Sequence, residues 1–158
     1  MSRILAIDPG QEESGWIIWD SDNEKILQMG IDPNVTFLSW LESASGPLVE
    51  AAAIEMVGHY GTGMAAGKSV FDTCVFIGEL KHALRGLNPK LILRPDIRLH
   101  FCHQRNAKPA NVNQVLRDRF GDKGTKKNPG KLFGVRDHIW SALALAVFFA
   151  DKFLEKIN

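Results

Sequence analysis

Cysteine is nearly absent from this chain of 158 residues, with Cys74 and Cys102 the only two. Two thiols make no disulfide framework, which argues against a stapled secreted scaffold and points to a reducing compartment. His100 and His103 lie near Cys102, but no second Cys/His pair completes a zinc site. Long apolar runs are missing too: nothing approaches the roughly 18 to 20 consecutive apolar residues needed to cross a bilayer. The opening Met1-Ser2-Arg3-Ile4-Leu5-Ala6-Ile7-Asp8 meets an acid too early for a secretory h-region. The expectation is a cytoplasmic protein of one domain spanning residues 1–158, with no membrane partner. Bases are scarce in the first half, where residues 1–80 hold 3 Lys/Arg against 12 Asp/Glu.

The reverse holds further on. Residues 81–136 carry 14 Lys/Arg against 3 Asp/Glu, a contrast hidden by the net charge of +1. A basic stretch of that strength reads as a polyanion-binding surface, with a plain solvated face as its alternative. Its densest part, residues 122–131, has the Gly and Pro content of a mobile loop. Arg105, Lys108, Lys123, Lys126, Lys127 and Lys131 are the candidate nucleic-acid contacts it offers.

Two carboxylates stand alone in apolar, strand-like runs: Asp8 after Ile4-Leu5-Ala6-Ile7, and Glu55 after Ala51-Ala52-Ala53-Ile54. A buried ionised carboxylate costs several kcal/mol unless a cation or hydrogen bonds compensate it. A pair of them suggests a shared metal ion, and hard oxygen ligands suit Mg²⁺ or Mn²⁺. The competing possibility is that Asp8 opens a turn with Pro9-Gly10 while Glu55 pairs with a buried Arg or Lys.

The spacing predicts strands over 3–8, 15–21 and 25–31, joined by short turns into an antiparallel meander. A helix starts near Asn34, a fourth strand carries Glu55, and a helix runs from Ser69 to Gly86. A short strand covers 90–94, residues 96–103 read as extended, and Pro109 opens a helix to Arg119. A last helix, from Val135 to about Lys156, is almost wholly apolar between Ala142 and Ala150. This order makes a mixed α/β layered domain. Trp16, Trp19, Trp40, Trp140, Phe148 and Phe149 fit packed faces.

Gly58–Ser69 has the context of a phosphate-binding P-loop, but its first required glycine falls on Thr62, which argues against a P-loop, and no nucleotide cofactor is expected. Lys68 and the helix N-terminus remain able to touch a nucleic-acid phosphate. Tyr60, the one tyrosine, or His59 beside it could stack on an unpaired base. The last helix opens Arg136-Asp137-His138. Asp137 fits a cap or dipole partner, but the helix behind it is so apolar that its first turn should reach the sheet end bearing Asp8 and Glu55. Being adjacent, Asp137 and His138 point about 100° apart. One would be a direct ligand while the other orients it, touches DNA or acts as general base.

Taken together, Ile7-Asp8-Pro9-Gly10 with Ser14-Gly15-Trp16, then Ala53-Ile54-Glu55, Lys108 to Phe120, and Ser141-Ala142-Leu143-Ala144-Leu145-Ala146 resemble the RuvC-type Holliday-junction resolvases, in particular their phage and prophage branch. The resemblance implies an RNase H-like fold: an α/β domain with a five-stranded mixed sheet, a three-stranded antiparallel meander plus two parallel strands, flanked by helices. It also implies a homodimeric endonuclease in a bacterial cell, acting on branched DNA such as a four-way junction with two Mg²⁺ (or Mn²⁺) ions per site. On this resemblance Asp8 and Glu55 are metal ligands, Asp137 or His138 supplies the last-helix ligand, and Lys108 sits near the scissile phosphate. Ser141 departs from the pattern, standing where the family usually places an acid. Gly58 departs too, standing where an aromatic is common.

Overall fold

The structure is a computed structural model, and it describes residues 2–43, 46–58 and 67–154. Five strands form one mixed sheet: β1 (Arg3–Asp8), β2 (Glu13–Asp20), β3 (Lys25–Pro33), β4 (Ala51–Met56) and β5 (Lys90–Leu93), in the order β3-β2-β1-β4-β5. β1, β2 and β3 pair antiparallel as the expected meander, while β4 and β5 add in parallel. The helices are α1 (Asn34–Glu42), α2 (Lys68–Ala83), α3 (Arg94–Cys102), α4 (Pro109–Phe120) and α5 (His138–Phe149).

β1 is the middle strand, which is why its apolar run does not alternate with polar residues: both faces are covered. Ile4 and Ala6, with Ile17, Trp19 and Ala53, pack against α3, α4 and α5. Leu5 and Ile7, with Trp16, Ile18 and Ile54, pack against α1 and α2 on the other face. The result is a three-layer α/β/α arrangement. Every residue of α5 is buried except His138 and Ser141. A helix apolar on all sides has to lie inside the protein, and α5 does, crossing β2, β1 and β4. Truncating Leu143 or Leu145, both fully buried, to Ala would cost about 2–5 kcal/mol.

The structure corrects three sequence-based expectations. Residues 96–103 are not extended; 96–102 belong to α3 and His103 caps it, and the helix has Pro95 at its start, Asp96 in its first turn, and Ile97 and Phe101 buried four apart. The last helix begins at His138 rather than Val135, because Gly134 (φ +84°) and Asp137 (φ +44°) break the backbone before it. The basic loop is a closed turn, with Gly124 bridged to Pro129 and Gly130 N–H donating to the Lys123 carbonyl at 2.9 Å.

Candidate active site

Ile7 pairs with Ile54 in the last register pair of β1 and β4, so Asp8 and Glu55 are neighbours one residue further along. Side chains alternate along a strand. Asp8 therefore shares the face of Ile4 and Ala6, Glu55 shares that of Ala53, and both carboxylates project to the α5 side at the carboxyl end of the parallel strands. Asp8 is only 4% exposed and Glu55 7%.

The two α5 residues that escape burial face Asp8. His138 Nδ1 lies 2.9 Å from Asp8 Oδ2, and the Ser141 side chain favours the charged form of the same carboxylate. They stand three apart on the helix, which puts them on one face. The backbone after Asp8 is pinned from β2 and α1. Ser14 Oγ donates to Asn34 Oδ1 at 2.7 Å, and Asn34 Nδ2 donates to the Gly10 carbonyl at 3.0 Å.

Burial raises the pKa of Asp8, against the opposing pull of His138 and Arg94. Burial and then the negative charge of Asp8 push Glu55 up to about 7. Asp20, also buried, shows the contrast. It accepts hydrogen bonds from Asn23 Nδ2 and the Asn23 and Asp22 N–H groups, and its pKa is lowered, the Asn23 side chain contributing most. Asp20 is a satisfied turn acid, whereas Asp8 and Glu55 lack enough partners for two charges.

Arg94 supplies the cation. Its Nε donates to Glu55 Oε1, and its Nη2 lies 3.7 Å from Asp8 Oδ1, so one guanidinium reaches both carboxylates. The side chain is 47% exposed and stands at the mouth of a cleft of about 480 Å³ whose lining includes Asp8, Glu55, Ser69 and Arg98. Arg98, one turn along α3, adds positive charge that acts on Glu55. Sequence reading missed both arginines because it took this segment as extended. Their i, i+4 spacing, alongside the i, i+4 pair Ile97 and Phe101, was the available signal.

The structure brings together Asp8, Glu55 and His138 but leaves Asp137 outside: its carboxylate pairs with Arg136 Nη1 at 2.9 Å and is 67% exposed. Lys108 is the exposed N-cap of α4, and the first turn of that helix, through Pro109 and Asn113, lines a small cleft with Glu55 and Ser141. Lys68 pairs with Asp72 at 2.5 Å, and Arg105 with Asp96 at 2.9 Å. Lys123 lies 5.4 Å from the Trp140 ring centroid, while Lys126, Lys127 and Lys131 are exposed. Tyr60 and His59 lie outside the described residues. Among the described residues no group of three or more His, Cys, Asp or Glu is arranged to hold a metal ion, and no helix is long and apolar enough to cross a membrane. The donor chemistry at Asp8 and Glu55 nonetheless fits a divalent cation: two desolvated oxygen ligands already attract a positive group.

No family model matches this chain, and no curated protein does. Solved structures do. A structure of Thermus thermophilus RuvC has a TM-score of 0.67 at 17% identity, over 94% of this chain and 95% of that one. T. thermophilus RuvC in complex with Holliday junction substrate has a TM-score of 0.68 at 15% identity, over 99% and 96%. The likeness establishes the fold, an RNase H-like five-stranded mixed sheet with flanking helices.

Proposed function

We propose that this chain is a structure-selective DNA endonuclease that resolves branched DNA, four-way junctions above all, by divalent-metal-dependent phosphodiester hydrolysis. The observation that carries this is the convergence of two buried carboxylates at the carboxyl end of adjacent parallel strands, in a fold shared with a protein solved on a Holliday junction. Asp8, Glu55 and His138 would hold the metal. Mg²⁺ or Mn²⁺ bound there supplies charge neutralisation at the phosphate and a more acidic water. Two ions per site remain part of the proposal.

The chain's own residues account for the rest. The 2.9 Å contact to Asp8 fixes which imidazole nitrogen of His138 faces the carboxylate, leaving the other directed outward. Lys108, the N-cap of α4, and Arg98, in the middle of α3 and lining the cleft, supply positive charge where a phosphate would lie. Lys123, Lys126, Lys127 and Lys131 hold backbone phosphates, Lys68 extends that surface at the start of α2, and Tyr60 is the residue proposed to stack on an unpaired base. Paired nicks on opposed strands call for two sites related by a twofold axis, hence a homodimer. A bacterial, phage- or prophage-borne protein of the cytoplasm fits this role.

The test is one gel. Wild type, Asp8→Asn and Glu55→Gln are given a synthetic four-way junction in Mg²⁺, beside a fork and an RNA–DNA hybrid, with binding followed in Ca²⁺. All three proteins should bind the junction and only the wild type should nick it. Equal nicking by all three overturns the site, and preference for the hybrid or fork overturns the substrate. One specific pair of observations favours a second reading, a junction-binding protein impaired in catalysis: Ser141 stands on Asp8 where an acid would serve, and Arg94 reaches both carboxylates. Tight binding by the wild type without nicking in Mg²⁺ or Mn²⁺ would decide for it.

A further inference from the structure

Arg94 is an odd residue to find at the first position of a helix. The N-terminus of α3 carries the positive end of the helix dipole, which disfavours a cation there. The helix therefore does not explain Arg94, but the carboxylates do. Its guanidinium donates through Nε to Glu55 and holds Nη2 3.7 Å from Asp8 Oδ1, so a single side chain meets both buried acids. A guanidinium is planar, permanently charged and weakly hydrated, which suits it to bridging two desolvated carboxylates. It is also half exposed at the cleft mouth, on a long stem that can swing into solvent.

We infer that Arg94 is a built-in counter-cation that occupies the seat of a divalent ion between Asp8 and Glu55, and that metal binding requires it to leave. The inference rests on the reading that this pair takes a divalent ion. It adds that the chain competes with its own metal. In the absence of metal, Arg94 keeps the two acids together and the neighbouring strand ends closed. Once displaced, the same guanidinium stays beside the cleft, within reach of a bound phosphate. Arg98, by contrast, influences Glu55 through space, and no hydrogen bond joins it to either acid among the described residues. It serves as the control for electrostatics alone.

Direct Mn²⁺ binding to the full chain without DNA tests this, read by the electron paramagnetic resonance of the free ion. Wild type, Arg94→Ala, Arg94→Lys and Arg98→Ala are compared at pH 8, above the value of about 7 for Glu55. Arg94→Ala should bind Mn²⁺ about tenfold more tightly than wild type, the scale on which one contacting charge moves a carboxylate equilibrium. Arg98→Ala should gain much less. Arg94→Lys, which keeps a charge but loses the fork, should fall between the two. The metal-free Arg94→Ala protein should melt several degrees below wild type and recover most of that loss in Mn²⁺. If Arg94→Ala fails to fold, the Arg94→Lys order relative to wild type and Arg98→Ala still decides. Unchanged or weaker binding in the Arg94 variants, or an equal gain in Arg98→Ala, overturns the seat competition and leaves the proposed nuclease standing. No Mn²⁺ binding in any folded form overturns both.

Discussion

Gly15 of β2 and His138 of α5 meet without room for a side chain between them: a Cβ at Gly15 would lie 2.6 Å from the His138 Cβ and 2.7 Å from its carbonyl carbon. This contact sets how closely the first turn of α5 approaches the sheet, and so where the imidazole stands on Asp8. Gly15→Ala must push that turn outward. The rest of α5 is held by its buried apolar residues, so the displacement concentrates at His138. Stability should fall by about 1–3 kcal/mol, while nicking falls on the order of 100-fold, as a displacement of about 1 Å at a reacting centre does. Gly86→Ala, with nothing within 4 Å of its Cβ, should nick normally. Melting curves and single-turnover nicking check both, and a fully active Gly15→Ala would show that this contact does not position His138.

Adjacent residues Asp137 and His138 separate cleanly in their surroundings. The Asp137 carboxylate faces Arg136 and solvent, and Asn has nearly the same shape, so the backbone at φ +44° is asked for no new side-chain geometry. Asp137→Asn should keep nicking within about threefold of wild type, since an exposed ion pair contributes little. His138→Ala should lose at least about 10- to 100-fold, the usual effect of removing an outer-shell partner of a metal-binding carboxylate, since it takes away a proposed ligand as well as the contact to Asp8. Nicking rates in Mg²⁺ for the two single variants decide the matter. The reverse order would move the last-helix role to Asp137.

The acids also leave a mark on stability. Burial and Asp8 raise the Glu55 pKa from 4.5 to about 7. The folded protein therefore holds a proton that the unfolded chain has released. The stabilisation from that proton is complete below about pH 4.5 and is lost as pH rises through about 7, beyond which the contribution is flat. Metal-free wild type in chelator should show a falling urea midpoint across that window, and Glu55→Gln a shallower fall. Parallel pH curves for the two proteins would mean that Glu55 titrates normally.

Much of this was legible in the sequence, and what was not has a physical cause. The run from Ile4 to Asp8 and the run from Ala51 to Glu55 read as central strands because residues buried on both faces leave no alternation to misjudge. Their register, set by the Ile7–Ile54 pair, is what turns two separate acids into one site. Of the two alternatives for Glu55, a metal or an arginine, the structure shows the arginine, since Arg94 donates to its carboxylate. Arg94 itself escaped notice because a helix of nine residues carries only two buried apolar positions, Ile97 and Phe101, too few to impose a clear period. Asp137 and His138 could not be told apart from sequence because the choice depends on a backbone break at positive φ, which local composition does not encode.

The basic turn supplies the last expectation. Lys126 and Lys127 sit at the tip of a turn closed by the Gly124–Pro129 bridge and by a 3.0 Å hydrogen bond from Thr125 N–H to the Asn128 carbonyl. The closure holds both ammonium groups outward, and neither makes an ion pair among the described residues. Lys68 and Arg105, in contrast, are engaged with Asp72 and Asp96. Cations presented in this way serve a phosphate backbone at little ordering cost. Each phosphate contact contributes about 0.9 to the slope of log affinity against log salt. The double variant Lys126→Ala, Lys127→Ala should therefore bind a four-way junction in Ca²⁺ more weakly, with a slope shallower by about 2. Its melting temperature should stay at the wild-type value, because both side chains are exposed. A loss of affinity with the slope intact would mean that the turn acts on something other than the phosphates, and an unchanged affinity would place the DNA elsewhere on the basic segment.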